Sequence, residues 1–178
     1  MKHDDTTIKE GIRNTFNQSA PHYDENLQFV LSAQKMASLA GCKCEDEAEV
    51  LDLSTGTGHI AIEIAGQFPK VMIDAVDLSE EMLAAAKSKS EEAGIDTITY
   101  HCQDVENLQL GDKRYDLITC GYGIFFYPNM DATFQKIFNR LSEGGQFIFS
   151  TFTEEAFEPY SKLLLEMLKE GYDLEFPK

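Results

Sequence analysis

An α/β three-layer sandwich on a mainly parallel sheet is the fold class this sequence predicts, and three observations predict it. Short apolar, β-branched runs alternate with helical periodicity. Most of these runs end in a polar or small residue. The first closes in a glycine loop, VLDLSTGTGHIA over residues 50–61. Alternating strands and helices form βαβ units whose right-handed crossovers give a parallel sheet. In such sheets ligands bind at the carboxyl ends of the strands, near the point where strand order reverses.

The elements follow in chain order. Ile12 and Phe16, then Leu27, Val30, Leu31 and Met36, mark two amphipathic helices separated near Pro21. This helical segment, residues 1–45, is placed either as a lid over the site or as packing on one sheet face. VMIDAVD (71–77) reads as the second strand, and Ser79 as the N-cap of a helix to about Ala93, stopped by Gly94. The third strand is ITYHCQD, ending at Asp104, and the fourth runs from Tyr115 to Gly121. A helix from about Met130 to Leu141 leads through Gly144 and Gly145 into QFIFSTF, the fifth strand. Residues 154–170 read as a helix with Phe157, Tyr160, Leu164 and Met167 or Leu168 on one face, followed by a short tail to residue 178.

At 178 residues and 43% hydrophobic content, one domain spanning 1–178 is the natural count. A net charge of −16 disfavours nucleic acid and anionic membrane as partners. No apolar stretch has transmembrane length and MKHDDTTIKE lacks a signal-peptide core, so the expected location is cytoplasmic. Cys42 and Cys44 form C-x-C, but Cys102 and Cys120 lie in strand-like runs, and no paired C-x2-C spacing supports a metal site. Of the histidines at 3, 22, 59 and 101, His59 adjoins the glycine loop.

That loop carries the chemistry. A tight glycine turn lets backbone approach a ligand, and the following helix offers unpaired N–H groups. Gly56, Gly58 and Ala61 satisfy G-x-G-x-x-G/A, and Asp77 follows Gly58 at close to the spacing of a ribose-binding carboxylate. Both NAD and S-adenosylmethionine (SAM) fit this pattern. Asp52 separates them: a carboxylate at the strand tip repels a pyrophosphate, whereas SAM brings a sulfonium and an ammonium. Capping of a turn is the structural alternative for Asp52. Asp77, Asp104 and Cys120 stand at three later strand ends, converging on one edge.

The chain resembles the class I SAM-dependent methyltransferases through LDLSTGTG, AVDLSEEML, CQDVENL, YDLITCGYGIFFYP and LSEGGQFIFSTF. With FNQSAPHYD, these motifs are similar to the small-molecule branch that contains the ubiquinone and menaquinone biosynthesis C-methyltransferases. The resemblance spans roughly residues 10 to 158 and implies a Rossmann-like sheet of order 3-2-1-4-5. It implies that residues Asp52 to Gly58 surround the methionine part of SAM, with Ser54 standing where the family usually has glycine. Asp77 is implied to take the ribose hydroxyls, Leu78 and Met82 to pack on adenine, Asp104 to accept the adenine amino group, and Val105 to offer its N–H. Cys120, Gly121 and Tyr122 are implied to border the transferable methyl.

Methyl transfer is an in-line displacement, so alignment and exclusion of water supply much of the acceleration, and no metal is needed. The acceptor is expected to be a small molecule. If it must lose a proton, Tyr23, Tyr122 and His59 are the leading candidates, with His22 and His101 behind them. Tyr23 leads because similar enzymes use this Y-D segment in a lid. Phe125, Phe126 and Tyr127 suggest an apolar substrate wall or core packing. The family sheet normally continues with strands six and seven, for which the residues after the last helix are too few. QFIFSTF is then expected to be an exposed apolar edge that promotes self-association. A SAM-binding fragment or regulatory module without turnover, and an NAD-dependent oxidoreductase, remain as alternative functions.

Overall fold

Alternation of side chains across the strands builds two cores on opposite faces of one sheet. The computed structural model describes residues 5–40, 47–153 and 155–172. The strands are β1 (Glu49–Leu53), β2 (Met72–Asp77), β3 (Ile98–Cys102), β4 (Tyr115–Gly121) and β5 (Leu141–Ser150). They form a sheet of order β3-β2-β1-β4-β5 with every pairing parallel. The order reverses at β1, which therefore lies between β2 and β4, and the crevice above it is the expected ligand site.

On one face Val50, Ile73, Ala75 and Leu117 pack against Met36, Ala37 and Ala40 of α2 (Leu27–Ala40) and Ile60, Ala61 and Ile64 of α3 (His59–Gln67). On the other, Leu51, Leu53, Val76 and Ile118 pack toward Ile137 of α5 (Met130–Asn139). α4 (Glu80–Glu92) starts as expected at Ser79, whose hydroxyl accepts from Met82 N at 3.1 Å, and it ends before Gly94, which has φ +70°.

Some boundaries differ from expectation. β3 stops at Cys102, because Asp104 instead caps a 3₁₀ turn, Val105–Asn107, by accepting from Glu106 N at 2.9 Å. β5 begins early at Leu141 opposite Tyr115, but its continuous register with β4 starts only at Gln146, after an irregularity containing Gly144 at φ +74°. The two glycines thus shape an interruption within the strand rather than a loop before it. α6 runs over Tyr160–Tyr172, later than expected.

α1 (Asp5–Ser19) has no buried residue and continues into a 3₁₀ turn, Ala20–Glu25, with Pro21 near its start. Polar ties hold this segment over the sheet's carboxyl edge. Asn129 Nδ2 donates to Asp5 Oδ2 at 2.9 Å, and Ser79 Oγ donates to Asn17 Oδ1 at 2.6 Å. Cys42, Cys44 and His3 fall outside the described residues, as does the end of the expected lid segment.

Candidate active site

The loop after β1 turns on three left-handed residues: Ser54 (φ +50°), Gly56 (φ +56°) and Gly58 (φ +80°). Thr55 N donates to Val76 O and Gly58 N donates to Thr55 O, each at 2.9 Å, which ties the loop to β2. Nothing lies within 4 Å of where a Cβ would stand on Gly56, so backbone is open to a ligand there. Gly58 has a different reason for lacking a side chain: a Cβ would meet Ala86 Cβ of α4 at 2.8 Å.

Asp77 closes the loop from the side. Its Oδ2 accepts from Gly56 N and its Oδ1 from Ser79 N, both at 2.8 Å. Burial pushes its carboxyl up from the ordinary value, against the pull of these backbone N–H groups. Each oxygen keeps acceptor capacity for a ligand hydroxyl.

A cavity with about 670 Å³ of empty volume opens beside this carboxylate at the strand ends. Of the residues expected at the site, Ser54, Gly56, Asp77, Leu78, Met82, Asp104, Val105 and Tyr122 line it. Its roof comes from the amino-terminal segment: Lys9, Ile12, Phe16 and Tyr23. Gly121, Gly123, Phe126 and Tyr127 complete the wall beyond β4. Phe125 turns outward, 39% exposed, against Phe152 at 5.7 Å between ring centroids.

Three residues expected to bind the cofactor do not line the cavity: Gly58, which is packed against Ala86, Asp52 and Cys120. Asp52 is fully buried beneath the loop and does not reach the lip. It follows Val50 on the face toward α3 and accepts from Thr119 Oγ1 at 2.6 Å and Thr55 Oγ1 at 2.5 Å. Burial pushes its carboxyl up to about 6, with the threonine hydroxyls opposing and the Asp77 charge adding to the rise. One of these hydroxyls belongs to the loop after β1 and the other to β4, so Asp52 ties the loop to the neighbouring strand. Cys120 is also fully buried and off the wall; its Sγ lies 3.3 Å from Tyr127 Oη, and burial pushes the thiol up to about 12. Gly121 and Tyr122, one and two residues on, take the wall positions.

The proton-transfer candidates separate as well. Tyr23 and Tyr122 stand on the cavity wall. Burial, followed by the charges of Asp77 and Asp24, pushes the Tyr23 phenol up to about 12, so it holds its proton at neutral pH. His59 Nε2 lies 2.9 Å from Asp24 Oδ1. That carboxylate fixes the proton on Nε2 and leaves Nδ1 as the acceptor nitrogen. His101 is bound to Asp74 at 2.7 Å and His22 to Glu25 at 2.8 Å, so both serve local contacts.

Several residues at the site carry no sequence signal. Lys9 Nζ bridges Asp104 Oδ2 at 2.7 Å and Glu106 Oε2 at 2.5 Å. Burial opposes its charge, but the two carboxylates outweigh burial and raise its pKa; Asp104 and Glu106 are lowered in turn. Asp104, expected to bind adenine, is therefore already held by the roof helix. Asp24 joins the same roof to the floor, accepting from Thr57 Oγ1 at 2.6 Å and Lys89 Nζ at 2.7 Å.

An open parallel sheet reversing at β1, with a ligand-sized crevice at that point, defines a nucleotide-cofactor-binding α/β domain. Residues 50–145 match the methyltransferase domain family, and the chain belongs to that family. The chain is 31% identical over 150 residues to a malonyl-[acyl-carrier protein] O-methyltransferase of Bacillus cereus, covering 83% of this chain and 54% of that protein. It is 35% identical over 121 residues to a ubiquinone/menaquinone biosynthesis C-methyltransferase of Bdellovibrio bacteriovorus, covering 65% of this chain and 50% of that one. An S-adenosylmethionine-dependent methyltransferase from Clostridium acetobutylicum superposes with a TM-score of 0.63 at 28% identity, over 82% of this chain and 61% of that one. The chain spans about half the length of the curated relatives it matches.

Proposed function

We propose that this chain binds SAM in the roofed cavity and transfers its methyl group to a small-molecule acceptor. The observation that carries this reading is the juxtaposition of open Gly56 backbone with Asp77. The carboxylate is pinned by two N–H groups yet retains oxygen lone pairs toward the cavity, as a ribose diol requires. Among the described residues Lys9 is the only lysine or arginine on the wall, and Asp104 and Glu106 neutralise it.

The donor set fits the cofactor from end to end. Gly56 and Ser54 would face its methionine part, Asp77 its ribose, and Leu78, Met82 and Val105 its base. The base's amino group would share Asp104 with Lys9. When bound, the cofactor supplies a methyl carbon activated by a positive sulfur. The chain's own work is to align and to exclude water: Tyr23 and Phe16 cover the cavity, and Tyr122 borders it from β4. An acceptor held in line with that carbon would present its lone pair there with water excluded. Any proton released would go to water or to His59, whose Nε2 lies 2.9 Å from Asp24 Oδ1.

Of the relatives, one is a malonyl-[acyl-carrier protein] O-methyltransferase and another a ubiquinone/menaquinone biosynthesis C-methyltransferase. A small-molecule acceptor, rather than nucleic acid, fits the net charge of −16. Among the described residues no helix is long and apolar enough to cross a membrane. Cys102 and Cys120 are free thiols, which suits a cytoplasmic setting. Calorimetric titration with SAM, S-adenosylhomocysteine and NAD tests the reading. Binding of the first two and not of NAD is expected; NAD binding without SAM overturns it.

A further inference from the structure

A second cavity, with about 420 Å³ of empty volume, meets the first at Tyr23, Ser54, Gly56, Gly121 and Tyr122. This shared neck lies beside the loop proposed to face the methionine part of SAM, so the second cavity stands where an acceptor must approach. Its own wall sets Phe29, Ala33 and Met36 from α2 and Ile60 from α3 beside the polar side chains of Ser32, Thr55, Thr57 and His59. Phe29 stacks on Tyr23, with centroids 5.1 Å apart and planes at 5°, and presents to Tyr122 edge-on at 5.5 Å.

The charge of that wall is as informative as its shape. Among the described residues, no lysine or arginine lines it. Lys89, the base attached to the nearby roof, is held by Asp24 at 2.7 Å. Besides the two tyrosines, the titratable side chain on the wall is His59. A carboxylate stripped of water here would have no fixed cation to pair with, and the Asp24 and Asp77 charges would oppose it. A flat neutral ring would instead be met by aromatic faces, with the hydroxyls of Ser32 and Thr57 and the His59 imidazole as hydrogen-bonding partners.

We propose that this second compartment is the acceptor subsite and that it selects an uncharged aryl acceptor bearing a hydroxyl, excluding one that ends in a carboxylate as a malonyl group does. The inference rests on the cofactor reading for which cavity is which. It concerns the second compartment itself, and so is measured separately.

Protein with and without saturating S-adenosylhomocysteine is titrated with 2-naphthol and with 2-naphthoate at neutral pH, following naphthalene fluorescence anisotropy. Wild type is expected to bind 2-naphthol at least about tenfold more tightly than 2-naphthoate, since a tenfold ratio is a modest charge discrimination. Phe29→Arg, at a half-buried position outside the first cavity, should raise 2-naphthoate affinity by about tenfold or more and leave S-adenosylhomocysteine affinity within about twofold of wild type. Ser32→Arg on the same wall serves if Phe29→Arg fails to fold. Equal or tighter binding of 2-naphthoate by wild type, binding of neither probe, or indifference to the arginine in the folded variant overturns the proposal. Failure of S-adenosylhomocysteine to bind overturns the cofactor reading instead, while the naphthol comparison without it still reads the compartment.

Discussion

Ser54 Oγ lies 2.9 Å from Tyr127 Oη, joining the loop after β1 to the segment after β4. Ser54 holds φ +50°, a conformation in which glycine carries no penalty and serine a penalty of about 1–2 kcal/mol. Its Cβ has room only because residue 123 is glycine, where a Cβ would stand 2.6 Å away. Burial, then the neighbouring Cys120, pushes the Tyr127 phenol well above its ordinary value, so it remains a proton donor. Serine at the family's glycine position is thus accommodated by two residues of a distant loop.

Removing the phenol hydroxyl tests this arrangement. Tyr127→Phe should cost about 1 kcal/mol in urea unfolding and loosen SAM binding through the loop. In a Ser54→Gly background the same change should cost less, because no partner hydroxyl remains. A double-mutant cycle should return a coupling of about 1 kcal/mol, and additivity would show that the contact does not hold the loop.

Asp77 is expected to dominate cofactor affinity. Asp77→Ala should weaken SAM binding by about 1.5–3 kcal/mol per charged hydrogen bond lost, or roughly 10- to 150-fold. The substitution also leaves Gly56 N and Ser79 N without acceptors, so unfolding by urea should be measured on the same samples. Unchanged affinity in calorimetry would remove Asp77 from the binding site.

Asp52 makes a separate, pH-dependent prediction. Its folded-state value of about 6 exceeds the unfolded value of 3.8, so between these limits the folded chain binds a proton that the unfolded chain has released. This carboxyl's contribution therefore favours folding most at low pH, declines as pH rises from 3.8 to about 6, and is constant above. The total decline is on the order of 3 kcal/mol. Asp24, Asp74, Asp104 and Glu106 are lowered and push stability the opposite way, so wild type alone does not isolate the effect. Asp52→Asn keeps partners for Thr55 and Thr119. Its stability relative to wild type should rise between pH 4.5 and 6 and flatten beyond, as read by urea unfolding across that range.

The parallel strands and the Ser79 cap were legible because they depend on local pattern, whereas the strand order was an implication of the family resemblance. The position of Asp52 was not. A strand buried on both faces carries no polarity signal to say which way one acid turns, and here it turns under α3 rather than onto the lip. Cys120 misled similarly: near the strand end its side chain turns into the core beside Tyr127 rather than onto the cavity wall. Lys9 with Asp104 and Asp24 with Lys89 pair across 95 and 65 residues of sequence, on elements that meet only after the sheet is assembled. Nothing in the local spacing of either residue announces the other.

The Lys9 contact should control access. α1 buries no residue of its own, so this bridge and the Asp5 and Asn17 ties anchor the roof. Glu106 is only 5% exposed, and losing Lys9 leaves its charge with fewer partners, a cost of about 1–3 kcal/mol. Lys9→Ala should speed amide exchange across residues 5–19 and raise the dissociation rate of SAM in stopped flow. Exchange in α1 matching that of wild type would mean that the roof is held by other contacts.

Among the described residues β5 is the last strand of the sheet, and Phe149 on it is 45% exposed. An extended apolar edge is a template for another strand unless covered or charged. The α6 residues Leu163, Leu164 and Met167 add exposed apolar area and no charge. Self-association should therefore appear in light scattering across a concentration series. Phe149→Lys, which places a charge on the edge without entering either cavity, should reduce it. A monomer at every concentration would show that this edge is protected, and association unchanged by Phe149→Lys would move the contact to another surface.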